Sequence, residues 1–129
     1  MKNLISALAV TTLLFLTHSL KAQTMDKNVT IIELIQTTGA FQTEQLKLTP
    51  GLYQFRIVNK NVDKDLGFVV QNEEDKGLDV MKTAVKNSFT TAYVKKGEAQ
   101  YTGIVELNSG NYIYSCPLNP TPHYRIIIE

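Results

Sequence analysis

The sequence predicts an all-β domain, a two-sheet antiparallel sandwich of seven or eight short strands with one short helix. Apolar residues mostly alternate with polar ones, which is the pattern of strands that bury one face. Turn residues recur every eight to twelve positions, as in small sandwiches. The alternation gives way to helical spacing only once, in the middle of the chain.

Four strands are predicted in the first half of the domain. The first covers residues 29–37 and is rich in isoleucine, and the second covers residues 45–48. The second strand ends at a turn containing Pro50 and Gly51, because proline presets its own φ and glycine tolerates a positive one. Alternating apolar residues at 53, 55 and 57 predict the third strand, and the short apolar run at 67–71 predicts the fourth.

One helix and four more strands are predicted in the second half. Leu78, Met81 and Val85 are spaced three and four apart, which predicts a helix over residues 75–86 that covers one end of the core. The later strands are predicted over residues 89–93, 101–107, 112–114 and 124–128.

Residues 1–22 have the pattern of a secretory signal peptide. Lys2 precedes an apolar run over residues 4–16 that is short for a membrane span, and Ala22 offers a small residue at the cleavage point. The predicted mature domain is residues 23–129, periplasmic or secreted, with no membrane span after cleavage. It is long enough for one hydrophobic core.

The charge balance of the mature domain argues against nucleic-acid binding. Removal of Lys2 and Lys21 leaves 11 basic against 12 acidic residues, and the two signs are interspersed along the chain. Cys116 is the single cysteine, so the domain has no internal disulfide.

Two stretches resemble the cupredoxin family of small Greek-key sandwiches, which includes plastocyanin, azurin and pseudoazurin. "TGAF...LKLTPGLYQFRIVNKN" looks like the early strands and glycine turn of that family. "KKGEAQYTGIVELNSGNYIYSC" looks like its closing hairpin and the strand that delivers its cysteine, and "TPHY" looks like part of its copper loop. The resemblance implies a Greek-key topology, copper as the cofactor and electron transfer to a redox partner protein as the function.

A blue-copper centre needs a cysteine thiolate and two imidazoles in a trigonal plane, with a weak axial ligand. By resemblance, Cys116 is the thiolate ligand and His123, seven residues later, is an imidazole ligand. The family's early histidine is expected near residues 66–68, where the sequence has Leu-Gly-Phe, and no methionine follows His123. A second alignment places His123 where the axial methionine usually lies, with Leu118 or Asn119 in place of the loop histidine.

Two interpretations therefore remain open. In the first, copper is bound by Cys116 and His123 with unusual further ligands, such as Asn119, Met81, a backbone carbonyl or the loop of a second molecule. A ligand from a second molecule would make the protein a copper-linked dimer rather than a monomer. In the second, the sandwich lacks metal and docks a partner protein through the same end. The sequence predicts no enzyme, since it contains no glycine-rich phosphate loop and no zinc-ligand spacing.

Overall fold

The computed structural model of the protein describes residues 28–129, so the predicted signal peptide lies outside the described residues. The strands in chain order are β1 (Val29–Thr37), β2 (Ala40–Phe41), β3 (Gln45–Leu48), β4 (Gly51–Asn59), β5 (Val69–Asn72), β6 (Ala99–Tyr101), β7 (Val105–Leu107), β8 (Gly110–Ser115) and β9 (Tyr124–Ile128). A short 3-10 turn, Glu73–Asp75, and one helix, α1 (Val80–Thr83), lie between β5 and β6.

The strands form two sheets that face each other. One sheet has the order β2-β1-β4-β6, with β7 also paired to β4, and the other has the order β3-β9-β8-β5. The predicted β-sandwich is confirmed, but it is not wholly antiparallel: β1 pairs with β4 in parallel, and so does β3 with β9. Parallel pairing is possible because other strands lie between the two members of each pair along the chain, so no tight hairpin joins them.

Side chains from the inner faces of both sheets form the core. On β4 the alternation predicted from the sequence is observed, because Tyr53, Phe55 and Ile57 are buried while the residues between them are half-buried. Among the described residues the other buried apolar side chains are Leu34, Phe41, Val62, Leu66, Phe68, Val69, Val70, Val94, Val105, Leu107, Tyr112, Ile113, Tyr114, Cys116, Ile126 and Ile128.

The helix prediction was too long. Gly77 adopts a φ of 90°, which suits glycine and interrupts the predicted segment. The Asp79 carboxylate then accepts a hydrogen bond from the Met81 amide at 2.9 Å and caps a helix of only four residues. Leu78 and Met81 are consequently exposed, and only Val85 of the predicted apolar stripe packs against the core.

Two strand predictions were also inaccurate. The segment predicted as a strand over residues 89–93 makes only an isolated bridge, Thr90 to Thr102. Ser88 holds the start of this segment, because its hydroxyl both accepts from the Val70 amide and donates to the Val70 carbonyl. The strand predicted over residues 101–107 is divided into β6 and β7, because the Thr102 hydroxyl accepts from the Phe55 amide and takes the place of a ladder bond.

The connection between β4 and β5 is fixed by a buried asparagine. The Asn59 Nδ2 atom lies 3.2 Å from the Val62 carbonyl, 3.1 Å from the Lys64 carbonyl and 3.2 Å from the Val94 carbonyl. Its Oδ1 atom accepts from the Val62 amide at 2.8 Å. These contacts hold the connection, within which Leu66 is fully buried. No helix within residues 28–129 is long and apolar enough to cross a membrane.

Candidate functional site

Cys116 lies directly after β8, at the start of the loop that leads to β9. Because successive side chains of a strand point to opposite faces, the spacing of Tyr112, Tyr114 and Cys116 places all three on the core side. The thiol is free and buried. The loop therefore presents sulfur to the interior of the sandwich, where the sequence predicted a metal ligand.

The Cys116 sulfur accepts two backbone hydrogen bonds. The Gly67 amide donates from the connection before β5 at 3.3 Å, and the Asn119 amide donates from the same loop at 3.2 Å. The Cys116 amide in turn donates to the Thr121 hydroxyl at 3.2 Å. Two separate segments of the chain thus converge on one sulfur atom.

Side-chain amides close these contacts into a ring. The Gln36 Nε2 atom donates to the Gly67 carbonyl at 3.0 Å, and the Asn119 Nδ2 atom donates to Gln36 Oε1 at 3.2 Å. With the two bonds to the Cys116 sulfur, these contacts join Gln36, Gly67, Cys116 and Asn119 in one closed circuit, which we call the hydrogen-bond ring. Gln36, Cys116 and Asn119 are buried. The ring ties together β1, the connection before β5 and the loop before β9.

Asn119 makes two further contacts with the turn between β1 and β2. Its Nδ2 atom lies 3.3 Å from the Thr37 carbonyl, and its Oδ1 atom accepts from the Gly39 amide at 3.4 Å. Both ends of this side-chain amide are therefore engaged. The sequence predicted Asn119 as a candidate ligand but gave no role to Gln36. The only clue to Gln36 in the sequence is that a polar residue occupies an inward position of β1.

His123 lies outside the hydrogen-bond ring. It is half-buried, at the end of the loop and immediately before β9. Partial burial, together with the nearby positive charge of Lys76, lowers the pKa of His123 below its usual value. The lowered pKa favours the neutral form of the imidazole.

Aromatic side chains of β2, β8 and β9 pack together next to the loop. Phe41 packs edge-on against Tyr114 and Tyr124 with ring centroids 5.0 and 5.7 Å away, and Tyr114 stacks on Tyr124 at 5.3 Å. The Tyr114 hydroxyl donates to the Thr43 carbonyl at 2.5 Å. Burial, and to a lesser degree Tyr124, raises the pKa of Tyr114 well above its usual range.

An apolar groove of about 580 Å³ opens beside the loop, and we call it the loop-end groove. Three large side chains in it are exposed to solvent: Met81 by 75%, Tyr93 by 62% and Leu118 by 40%. The residues that line the groove are Gly67, Phe68, Val80, Met81, Phe89, Thr90, Thr91, Ala92, Tyr93, Pro117 and Leu118. The sequence did not reveal the groove, because the short helix and the irregular segment after it were predicted as regular elements.

Several solved structures superpose on most of the domain. Auracyanin A, described as a "blue" copper protein from the green thermophilic photosynthetic bacterium Chloroflexus aurantiacus, has a TM-score of 0.64 at 12% identity and covers 79% of this chain and 100% of its own. Auracyanin from Roseiflexus castenholzii has a TM-score of 0.60 at 11% identity, covering 78% of this chain and 97% of its own. The chain has the cupredoxin fold.

Amicyanin from Paracoccus versutus also matches this cupredoxin-fold domain, with a TM-score of 0.51, 15% identity and coverage of 77% of this chain and 81% of its own. No protein-family model matches the sequence, and no curated protein sequence matches it. At these identities the similarity establishes the cupredoxin fold, and the chemistry of the site has to be judged from the residues themselves.

The described side chains around Cys116 do not form a complete blue-copper ligand set. Within residues 28–129 there is no group of three His, Cys, Asp or Glu side chains placed to hold one metal ion. Apolar Leu66 is fully buried beside Gly67, in the stretch where the early histidine was expected, and the amide of Asn119 is engaged by Gln36, Thr37 and Gly39. Of the predicted ligands, the Cys116 sulfur accepts from two backbone amides, and His123 lies outside the hydrogen-bond ring.

Proposed function

We propose that the chain is a cupredoxin-fold binding module that docks a partner protein through the loop-end groove and does not use a copper centre. The exposure of Met81, Tyr93 and Leu118 around one apolar groove carries this proposal. Contiguous exposed apolar surface on a small domain is characteristic of interaction sites. The partner that fits is a protein that inserts an apolar side chain into the groove.

The loop beside the groove is stiff without metal. Pro117, Pro120 and Pro122 each fix one φ angle, and the hydrogen-bond ring anchors Cys116 and Asn119 to two other segments. Because the loop is already ordered before a partner arrives, little conformational entropy is lost on docking. Because a signal peptide is predicted for this chain, we expect its partner to be periplasmic or secreted as well.

Site-specific photo-crosslinking tests the docking proposal. A photoreactive amino acid replaces Leu118 in the mature chain, and a matched chain carries it at Ile104, which is 47% exposed and lies outside the groove. Light should give a discrete adduct from the exported proteins of the source cell only at position 118, and Met81→Asp should abolish it. The absence of a discrete adduct at 118, or equal adducts at both positions, contradicts the proposal.

Copper binding with electron transfer to a redox partner protein is the second candidate. The observation that favours it is the fold shared with auracyanin A, together with a free cysteine in the loop between the last two strands. In this proposal Cys116 and His123 are ligands, Asn119 leaves the hydrogen-bond ring to become a third, and the protein is a monomer or a copper-linked dimer.

Addition of Cu(II) to the mature chain separates the two candidates. Stoichiometric copper with intense visible absorption that is lost in Cys116→Ser would establish the second candidate. Copper-dependent dimerisation would show that a ligand comes from a second molecule. We expect neither the visible absorption nor the copper-dependent dimerisation, since Leu66 and Asn119 supply no imidazole.

A further inference from the structure

Among residues 28–129, no strand neighbours the outer edge of β1 over most of its length. On its inner edge β1 pairs with β4 from Val29 to Gln36. On its outer edge, within residues 28–129, only Gln36 and Thr37 pair with β2, and the Ile35 carbonyl accepts from the Gln42 amide at 2.9 Å. Within the part of the chain that the structure describes, residues 29–33 therefore form a free edge.

The backbone groups directed outward from this edge belong to alternate residues. The N–H and C=O groups of one strand residue point to the same side, and those of the next residue point to the other. Because the Ile35 carbonyl points outward, the outward groups are those of Val29, Ile31 and Glu33. Thr30 and Ile32 direct their groups towards β4.

This free edge lacks the usual features that prevent edge-to-edge pairing. The sequence Val-Thr-Ile-Ile-Glu contains no proline, glycine or lysine, and it is rich in β-branched residues. Its one charge, Glu33, is already paired with Arg56 of β4. Ile31 is 55% exposed in the middle of the edge.

We propose that β1 pairs with β1 of a second copy, antiparallel and two-fold symmetric about Ile31. This register places Ile31 opposite its symmetry mate and Glu33 opposite Val29, so the outward groups of all three residues find partners. A two-fold axis at Glu33 would instead oppose two carboxylates, which is unfavourable. The axis at Ile31 also covers the exposed isoleucine with another β-branched side chain.

The resulting dimer joins the two β1-containing sheets into one continuous sheet. Its interface is isologous, since the same edge is used by both copies. It leaves the loop-end groove free and requires no metal, so it is independent of the docking proposal and differs from a copper-linked dimer. The chelator EDTA distinguishes the two dimers.

Sedimentation of the mature chain in EDTA, from micromolar to millimolar concentration, tests the proposal. The wild-type chain should dimerise reversibly, and Ile31→Lys should raise the dissociation constant about tenfold or more because two lysines then oppose each other. Ile31→Pro should act similarly, since it removes an outward N–H while an edge strand tolerates proline. Ile104→Lys is the matched control and should leave the dissociation constant unchanged. Circular dichroism verifies that each variant is folded.

Amide hydrogen exchange provides a residue-specific readout of the register. The amides of Ile31 and Glu33 should become protected as the wild-type concentration rises, while those of Thr30 and Ile32 are protected at every concentration. A chain that stays monomeric at millimolar concentration overturns the proposal. A dimer with unprotected Ile31 and Glu33 amides, or one weakened by Ile104→Lys instead of Ile31→Lys, also overturns it.

Discussion

Removing the Asn119 side chain should destabilise the domain in a way that depends on Gln36. In Asn119→Ala, buried Gln36 Oε1 loses the donor that lies 3.2 Å away, and an orphaned buried acceptor costs about 1–3 kcal/mol. The bonds to Thr37 and Gly39 are long and part-buried, so their loss adds about 0.5 kcal/mol each. We therefore expect the free energy of unfolding to fall by about 2–4 kcal/mol.

The partner variant Gln36→Ala should cost a similar amount, because it leaves the buried Gly67 carbonyl without its donor. In the double variant both partners of the Asn119–Gln36 bond are absent, so no orphaned Gln36 Oε1 remains. The double variant should therefore lose about 1–2 kcal/mol less unfolding free energy than the sum of the two single variants. Equilibrium urea unfolding of the four proteins, with no metal added, measures this coupling.

Exposed Asn61→Ala is the matched control for the loss of an asparagine side chain, and it should change the free energy of unfolding by less than about 0.5 kcal/mol. If the losses in unfolding free energy of Asn119→Ala and Gln36→Ala add up within about 0.5 kcal/mol in the double variant, the two side chains do not stabilise the domain through a shared bond. That result would contradict the proposed role of the hydrogen-bond ring.

Three further outcomes are expected. Cys116→Ala removes the common acceptor of two amides and should lower the free energy of unfolding, measured in urea, by about 2–4 kcal/mol. Cys116→Ser keeps an acceptor and should cost less, so equal losses in the two variants would contradict this explanation. Asn59→Ala removes a buried amide that contacts three carbonyls and one backbone N–H, and it should cost about 3–5 kcal/mol by the same assay. A loss under about 1 kcal/mol would show that other contacts hold the β4–β5 connection. Since burial raises the pKa of Tyr114 in the folded state, stability should be fully retained at lower pH and decline as pH rises above about 10, where the tyrosine of the unfolded chain ionises. Tyr114→Phe should flatten this decline in unfolding curves measured across that pH range, and an unchanged slope would refute the assignment.

The sandwich fold could be predicted because its signal is local. Alternation along β4 fixes which side chains face the core, whatever the neighbouring strands are, and Tyr53, Phe55 and Ile57 are buried as predicted. The helix prediction failed at Gly77 and Asp79, where turn and capping chemistry outweighed the spacing of three apolar residues.

The candidate site was only partly predictable. The resemblance directed attention to the loop of Cys116 and Asn119, and the copper ligand set remains a prediction. Neither Gln36 nor the loop-end groove could be found from the sequence, because their roles depend on residues far away along the chain. Asn119 and Gln36 are 83 positions apart and meet only when both sheets are assembled.

By itself, the sequence determined the strand faces, the stiffness of the proline-rich loop and the absence of a second cysteine, since each depends on residue type or short-range spacing. Tertiary structure alone decided that the Cys116 sulfur accepts two amides, that Asn119 bonds Gln36 and that Met81 lies exposed at a groove. The physical reason is that local periodicity sets which way a side chain points, whereas its partner is set by strand register and by how distant segments pack.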